Sequence, residues 1–189
     1  MVWQFFYLHM KLLEQLCKIQ APSGSEYVMV DFLLKYIKKN AANWKVQPHV
    51  IHGEGFQDNI VLVFGKPRTA IYAHTDSIGY TVGYDNNLIK IGGPAAKKGT
   101  KLVGTDSQGT STGTLQTHED EHEFLTYAVK FKRAIDRGTT LTYKPNFRES
   151  KDFVQCCYMD NRLGMWSALK VAETLENGAI VFSSWEEHG

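Results

Sequence analysis

Leu12, Leu13, Leu16 and Ile19 recur at the three- and four-residue spacing of a helix face. The Ala21-Pro22-Ser23-Gly24 stretch that follows predicts the end of that helix, because proline disfavours helical backbone in the residue before it. Ser23 and Glu26 form an S-x-x-E pattern that predicts a capping box. It opens a second amphipathic helix through Val30, Leu33, Leu34 and Ile37, with Lys38, Lys39 and Asn40 suited to its C-terminus.

The pattern then changes to short β-branched and aromatic runs: Val46 to Ile51, Asn59 to Phe64, Thr69 to Ala73, Ile78 to Tyr84 and Leu88 to Ile91. Asn86-Asn87 between the last two predicts a hairpin turn. From about Gly93 to Ser150 the chain is rich in threonine and glycine, yet Tyr127 to Phe131 and Leu141 to Tyr143 offer apolar residues to a core, which predicts a small all-β insert. Phe153 to Met159 is strand-like. Leu163, Trp166, Leu169, Ala172 and Leu175 mark one face of a third helix ended by Asn177-Gly178, and Ala179 to Trp185 has the continuous apolar character of a buried strand. The expected organisation is an α/β domain in residues 1–92, a β-rich insert in 93–150 and the second part of the α/β domain in 151–189.

A chain of 189 residues with 43% hydrophobic and 12% aromatic residues can build a packed core, and a formal charge of +1 leaves no excess for gripping a nucleic-acid backbone. Cys17, Cys156 and Cys157 are an odd set, two of them adjacent, unlike a secreted disulfide framework; they fit a reducing cytoplasm, with Cys17 in core packing. The apolar first sixteen residues lack a basic region and a cleavage site, and no run reaches the roughly 18 apolar residues of a membrane span.

Acidic and imidazole groups collect where apolar runs end. His74 and Asp76, two apart at a strand end, emerge on the same face. The imidazole is either a metal ligand whose ring the neighbouring carboxylate orients, or a strand-end histidine bonded to a nearby turn. Asp160, ahead of the third helix, is either a first-turn acid interacting with the helix dipole or a carboxylate bridging two metal ions. Glu186 and Glu187 are too close to flank a glycosidic bond, whose two carboxyl groups stand about 5 to 9.5 Å apart and face each other. At a bending strand end one can bind metal while the other takes a proton from an activated water, or both can begin a solvated loop. His118-Glu119-Asp120-Glu121-His122 matches HExxH literally, but its acidity and the strand-like Thr112 to Gln116 before it predict an exposed loop of the insert rather than a zinc-binding helix. Phosphate-loop, dinucleotide, nucleophile-elbow and C-x-x-C motifs do not occur.

In order and spacing, Ala21-Pro22-Ser23-Gly24, Asp58-Asn59-Ile60, Ala73-His74-Thr75-Asp76-Ser77-Ile78-Gly79, Ile91-Gly92-Gly93, Met159-Asp160-Asn161-Arg162 and Glu186-Glu187-His188-Gly189 resemble the glutamyl or tetrahedral (TET-type) aminopeptidase family of dinuclear metallopeptidases. The resemblance implies a mixed-sheet α/β sandwich with an inserted small all-β dimerisation-type domain. It makes His74, Asp160 and Glu187 metal ligands, with Asp160 bridging, Asp76 the group that orients His74, and Glu186 the general base. It implies two divalent ions, Zn or Co, peptide substrates, a cytoplasmic homo-oligomer, and neither nucleic-acid nor membrane partners. Asn161 stands where the family usually has a second aspartate, Ser77 replaces the usual glutamate after H-x-D, and the insert is short. The family takes a further aspartate and histidine from sequence beyond Gly189, so the chain corresponds to the N-terminal part of the family's length.

The expected activity is hydrolysis of N-terminal residues from peptides by a two-metal activated water. Its rivals are a catalytically silent or truncated member that acts in self-association through the β insert, and a protease working through HExxH.

Overall fold

The computed structural model describes residues 2–119 and 125–188. In chain order its elements are α1 (Val2–Lys18), α2 (Tyr27–Asn40), β1 (His49–Ile51), β2 (Ile60–Phe64), β3 (Ala70–His74), β4 (Gly79–Val82), β5 (Leu88–Ile91), β6 (Lys101–Asp106), β7 (Gly109–Glu119), β8 (Leu125–Lys130), β9 (Thr140–Tyr143), β10 (Arg148–Glu149), β11 (Val154–Gln155), α3 (Met159–Ala172) and β12 (Gly178–Ser183). The fold is mixed α/β, as the sequence predicts. Among the described residues no helix is long and apolar enough to cross a membrane.

The first sheet has the order β1-β2-β12-β3. β2 runs antiparallel to both β1 and β12, whereas β12 and β3 are parallel and in register from Ala179–Ala70 to Ser183–His74. Alternation puts Ile60, Leu62 and Phe64 of β2 and Ile180 and Phe182 of β12 on one face. There they pack on Leu12 and Leu16 of α1, Met29, Val30, Leu33 and Ile37 of α2, and Met165, Ala168, Leu169 and Ala172 of α3. Each such fully buried large side chain contributes about 1.5–3 kcal/mol. Three helices therefore form a single layer on this face.

The second sheet, β5-β4-β9-β6-β7-β8, is antiparallel throughout. A bridge between Asn87 and Ala128 brings its outer strands together, so the sheet curls towards a barrel. Tyr80, Val82, Leu88, Leu102, Leu115, Tyr127, Val129 and Leu141 fill the inside. Gly104 is required there: a methyl group on it would strike the Thr140 carbonyl and the Leu141 side chain on β9. The predicted β4–β5 hairpin closes with Asp85 and Asn86 at positive φ and the Gly83 N–H donating to the Asn87 carbonyl at 2.7 Å.

Three local expectations change. Ser23 and Glu26 do not cap α2, which has no side-chain cap; both side chains turn to the sheet ends instead. The strand predicted from Phe153 to Met159 shrinks to β11, since α3 is already under way at Met159. The inward face of α3 is set by Arg162, Met165, Ala168, Leu169 and Ala172, leaving Leu163 43% exposed. An arginine thus occupies a position that hydrophobic periodicity reserves for an apolar residue. Its reason is polar, and is given below.

The β6–β7 hairpin is pinned by a two-pronged ion pair in which Arg133 Nη1 and Nη2 donate to Asp106 Oδ2 and Oδ1 at 2.6 and 2.7 Å. The guanidinium holds the Asp106 carboxyl well below the usual carboxylate range. A lowered folded-state value means that the contribution is complete above the unfolded aspartate's value near about 4 and is lost progressively as pH falls below it. Asp106→Asn should lower the melting temperature at neutral pH, and the gap from the wild type should narrow in acid, towards about pH 3. An unchanged gap in thermal scans at both pH values would contradict the assignment.

Candidate metal centre

The parallel pairing of β3 and β12 sets His74 and Ser183 side by side at the ends of their strands. Thr75 locks the two ends together: its N–H and its hydroxyl both donate to the Ser183 carbonyl, at 2.7 and 3.0 Å. Beyond Ser183 the chain turns sharply, with Trp185 at φ 64°, and carries Glu186 and Glu187 back over His74. The turn is held by Ser184 N–H to Asn59 Oδ1 at 3.0 Å and Trp185 N–H to Glu26 Oε1 at 3.2 Å. Gly92, at φ 68°, lies against it so closely that a methyl group there would meet the Glu187 carbonyl.

Asp76 is fully buried, and its carboxylate gathers donors from two segments distant in sequence. The Ser23 hydroxyl donates to Oδ2 at 2.6 Å, and the backbone N–H groups of Glu186 and Glu187 donate at 3.2 and 3.0 Å. Burial pushes this carboxyl up, but the His74 ring, Ser23 and the two N–H groups outweigh it and hold the group at about 2. It is therefore a fixed anion behind the imidazole.

His74 is 6% exposed and stands between carboxylates. Nδ1 lies 3.2 Å from Asp76 Oδ1, off the line of a well-aligned hydrogen bond, so this contact is chiefly electrostatic. Nε2 faces outward, 3.1 Å from Asp160 Oδ1 and 3.8 Å from Glu186 Oε2. Burial would lower the imidazole, yet the Asp76 and Asp160 contacts and the Glu186 charge raise it to about 9. Asp160 reaches the site from the start of α3, where its own backbone is extended (φ −84°, ψ 111°) and its side chain is 88% exposed. One ligand atom each from His74, Glu186 and Glu187 lie within 4.8 Å of one another. Burial raises Glu187; the Glu186, Asp160 and Asp76 charges add to the rise and His74 opposes it.

All five residues singled out in the sequence thus meet around one imidazole. Two ligands about 2 Å from a tetrahedral metal are about 3.3 Å apart; Nε2 and Asp160 Oδ1 stand at 3.1 Å, and His74, Glu186 and Glu187, within 4.8 Å of one another, form a group that could hold an ion. The donor set of one imidazole and several carboxylates suits zinc-like or harder divalent ions. His118 and Glu119, by contrast, are exposed at the end of β7, on a strand rather than a helix; Asp120, Glu121 and His122 lie outside the described residues. Ser23 and Glu26 escaped the sequence reading because S-x-x-E carries a sufficient local explanation as a helix cap.

No protein-family model matches the chain, and no curated protein matches it in sequence. Solved structures do match in fold. An aminopeptidase from the archaeon Desulfurococcus kamchatkensis superposes with a TM-score of 0.75 at 20% identity, covering 96% of this chain and 57% of that one. The Pyrococcus horikoshii TET1 peptidase, which can assemble into a tetrahedron or a large octahedral shell, gives 0.72 at 18%, covering 96% and 62%. A Thermotoga maritima protein described as an endoglucanase gives 0.68 at 17%, covering 93% and 59%. The resemblance to TET-type aminopeptidases therefore holds at the level of the fold, and the chain spans about three-fifths of the length of these structures.

Ser23→Ala would leave one oxygen of a buried carboxylate without its closest donor. A loss of about 1.5–3 kcal/mol is expected in urea unfolding, the range for a hydrogen bond to a charged group. A loss below about 0.5 kcal/mol, the size of an ordinary surface substitution, would deny Asp76 this dependence.

Proposed function

We propose that these residues form the catalytic centre of a metal-dependent aminopeptidase, with His74, Asp160 and Glu187 as metal ligands and Glu186 as the general base. The observation that carries this reading is the convergence of His74 Nε2, the Asp160 carboxylate, Glu186 and Glu187 at the ends of two parallel strands, with the buried Asp76 anion behind the ring. Open α/β sheets bind ligands at the carboxyl ends of their strands. The likeness of fold to aminopeptidases supports the same reading.

The proposed cofactor is a pair of divalent ions, zinc or cobalt, which when bound would lower the pKa of a water and polarise a carbonyl. The rest falls to the chain's own groups. Asp76 fixes the His74 ring so that Nε2 points outward. Glu186, 61% exposed and 3.8 Å from that nitrogen, stands at the mouth of the site, where it can take a proton from water and hand it to the leaving amine. The substrate is a peptide with a free amino end, for which the carboxylates around Nε2 offer charge complementarity. A homo-oligomer is proposed with it, by analogy with the shell-forming TET1 peptidase, and a cytoplasmic setting from the odd, partly adjacent set of cysteines. Glycoside hydrolysis is disfavoured, because Glu186 and Glu187 converge on one imidazole instead of facing each other across a cleft.

Two variants test the proposal in a chromogenic aminoacyl substrate assay with added Zn²⁺ or Co²⁺. Glu186→Gln should lower kcat by about 10²–10⁴-fold with metal uptake retained, the range for loss of a general base. His74→Ala should lose metal and activity together. Wild-type activity without loss in Glu186→Gln would remove the base, and a wild type that takes up no metal would favour a catalytically silent, self-associating protein.

A further inference from the structure

Arg162 is wholly buried in the first turn of α3, two residues beyond Asp160. Its Nη1 donates to the Thr75 carbonyl at 2.6 Å and, less closely, to the Asp76 carbonyl at 3.4 Å. Nη2 reaches the Ile19 carbonyl beyond α1 at 3.5 Å, and Nε has no partner among the described residues. Burying a guanidinium that leaves one donor unmet is a poor route to stability, since an apolar side chain of similar volume packs as well at lower desolvation cost. What arginine alone supplies here is a rigid planar fork.

That fork joins the two parts of the chain whose separation decides the centre. Thr75 and Asp76 directly follow His74, whereas Asp160 sits on the segment that carries Arg162, and the two segments are 86 residues apart in sequence at the Nε2–Oδ1 contact. We infer that Arg162 is a positioning residue: by holding the carbonyls behind His74 it sets the distance between the imidazole and the Asp160 carboxylate, and so the affinity of the site for a divalent cation. This rests on the metal reading above.

The test uses Co²⁺ alone, titrated by calorimetry into the wild type and into Arg162→Met, Arg162→Lys and Leu169→Ala. Leu169 is buried on the same helix and serves as the control for simple loss of packing. Arg162→Met should bind Co²⁺ about 10–100-fold more weakly, as when the support of a metal ligand is removed. Arg162→Lys should recover part of that loss, and Leu169→Ala should lower the melting temperature without changing the affinity per folded molecule. Where the methionine variant does not fold, the lysine variant decides the question: the metal-free His74 imidazole nitrogen resonances should move relative to the wild type. Folded Arg162 variants that bind Co²⁺ as tightly as the wild type, or unmoved His74 resonances in Arg162→Lys, overturn the positioning role. A wild type that binds no Co²⁺ overturns the metal reading itself, and the role with it.

Discussion

The carboxylate of Asp76 is the constraint on which the rest of the site depends. It is out of solvent and anionic, and an ion so placed is tolerable only if its lone pairs are met. They are met by the Ser23 hydroxyl from the loop between α1 and α2 and by the backbone N–H groups of Glu186 and Glu187 beyond β12, while the His74 ring at the end of β3 adds an electrostatic contact. Three segments distant in sequence are thereby tied to one atom group. Removing the charge would release all of them together, which is why the sharp turn at Trp185 and the placement of Glu186 over His74 belong to one structural unit.

The two cores divide the work around that unit. The helical layer and the mixed sheet fix where β3 and β12 end, because register along the parallel pair determines that Ser183 lies beside His74. The curled second sheet begins at Gly79, three residues after Asp76, and Gly92 at the end of β5 packs against the Glu187 turn. Tyr158 adds a second link, since its hydroxyl accepts the Tyr143 N–H of β9 while its own backbone leads into Asp160. The site lies at the junction of the two sheets, and both contribute rigid walls to it.

Much of this was legible in the sequence for a physical reason: apolar runs that stop at His74 and Trp185 mark strand ends, and strand ends in such sheets gather functional groups. The succession of helices and strands and the hairpin between β4 and β5 follow from periodicity and turn chemistry, whereas the mixed-sheet α/β fold was what the family resemblance implied. Less legible were side chains with two sufficient explanations. Ser23 and Glu26 satisfy a local capping pattern, so nothing near them in sequence reveals that their partners are Asp76 and Trp185, more than fifty residues away. Arg162 misplaced the predicted face of α3 because hydrophobic periodicity has no place for a buried guanidinium that bonds distant carbonyls. The closing of the second sheet through Asn87 and Ala128 depends on long-range register that no local pattern encodes.

The electrostatics of the assembled cluster carry the functional argument one step further. One imidazole faces Asp76 through Nδ1 and Asp160 and Glu186 through Nε2, and a Glu187 oxygen lies within 4.8 Å of the ring's ligand atom. Even when protonated, the ring supplies one positive charge against several carboxylates; Glu187 is shifted upward chiefly by burial, with the neighbouring carboxylates adding to the rise and His74 opposing it. The Arg162 guanidinium turns its fork to backbone carbonyls behind the ring. The negative charge is left facing the strand ends, where, on the proposed function, a bound divalent cation would supply the balancing charge.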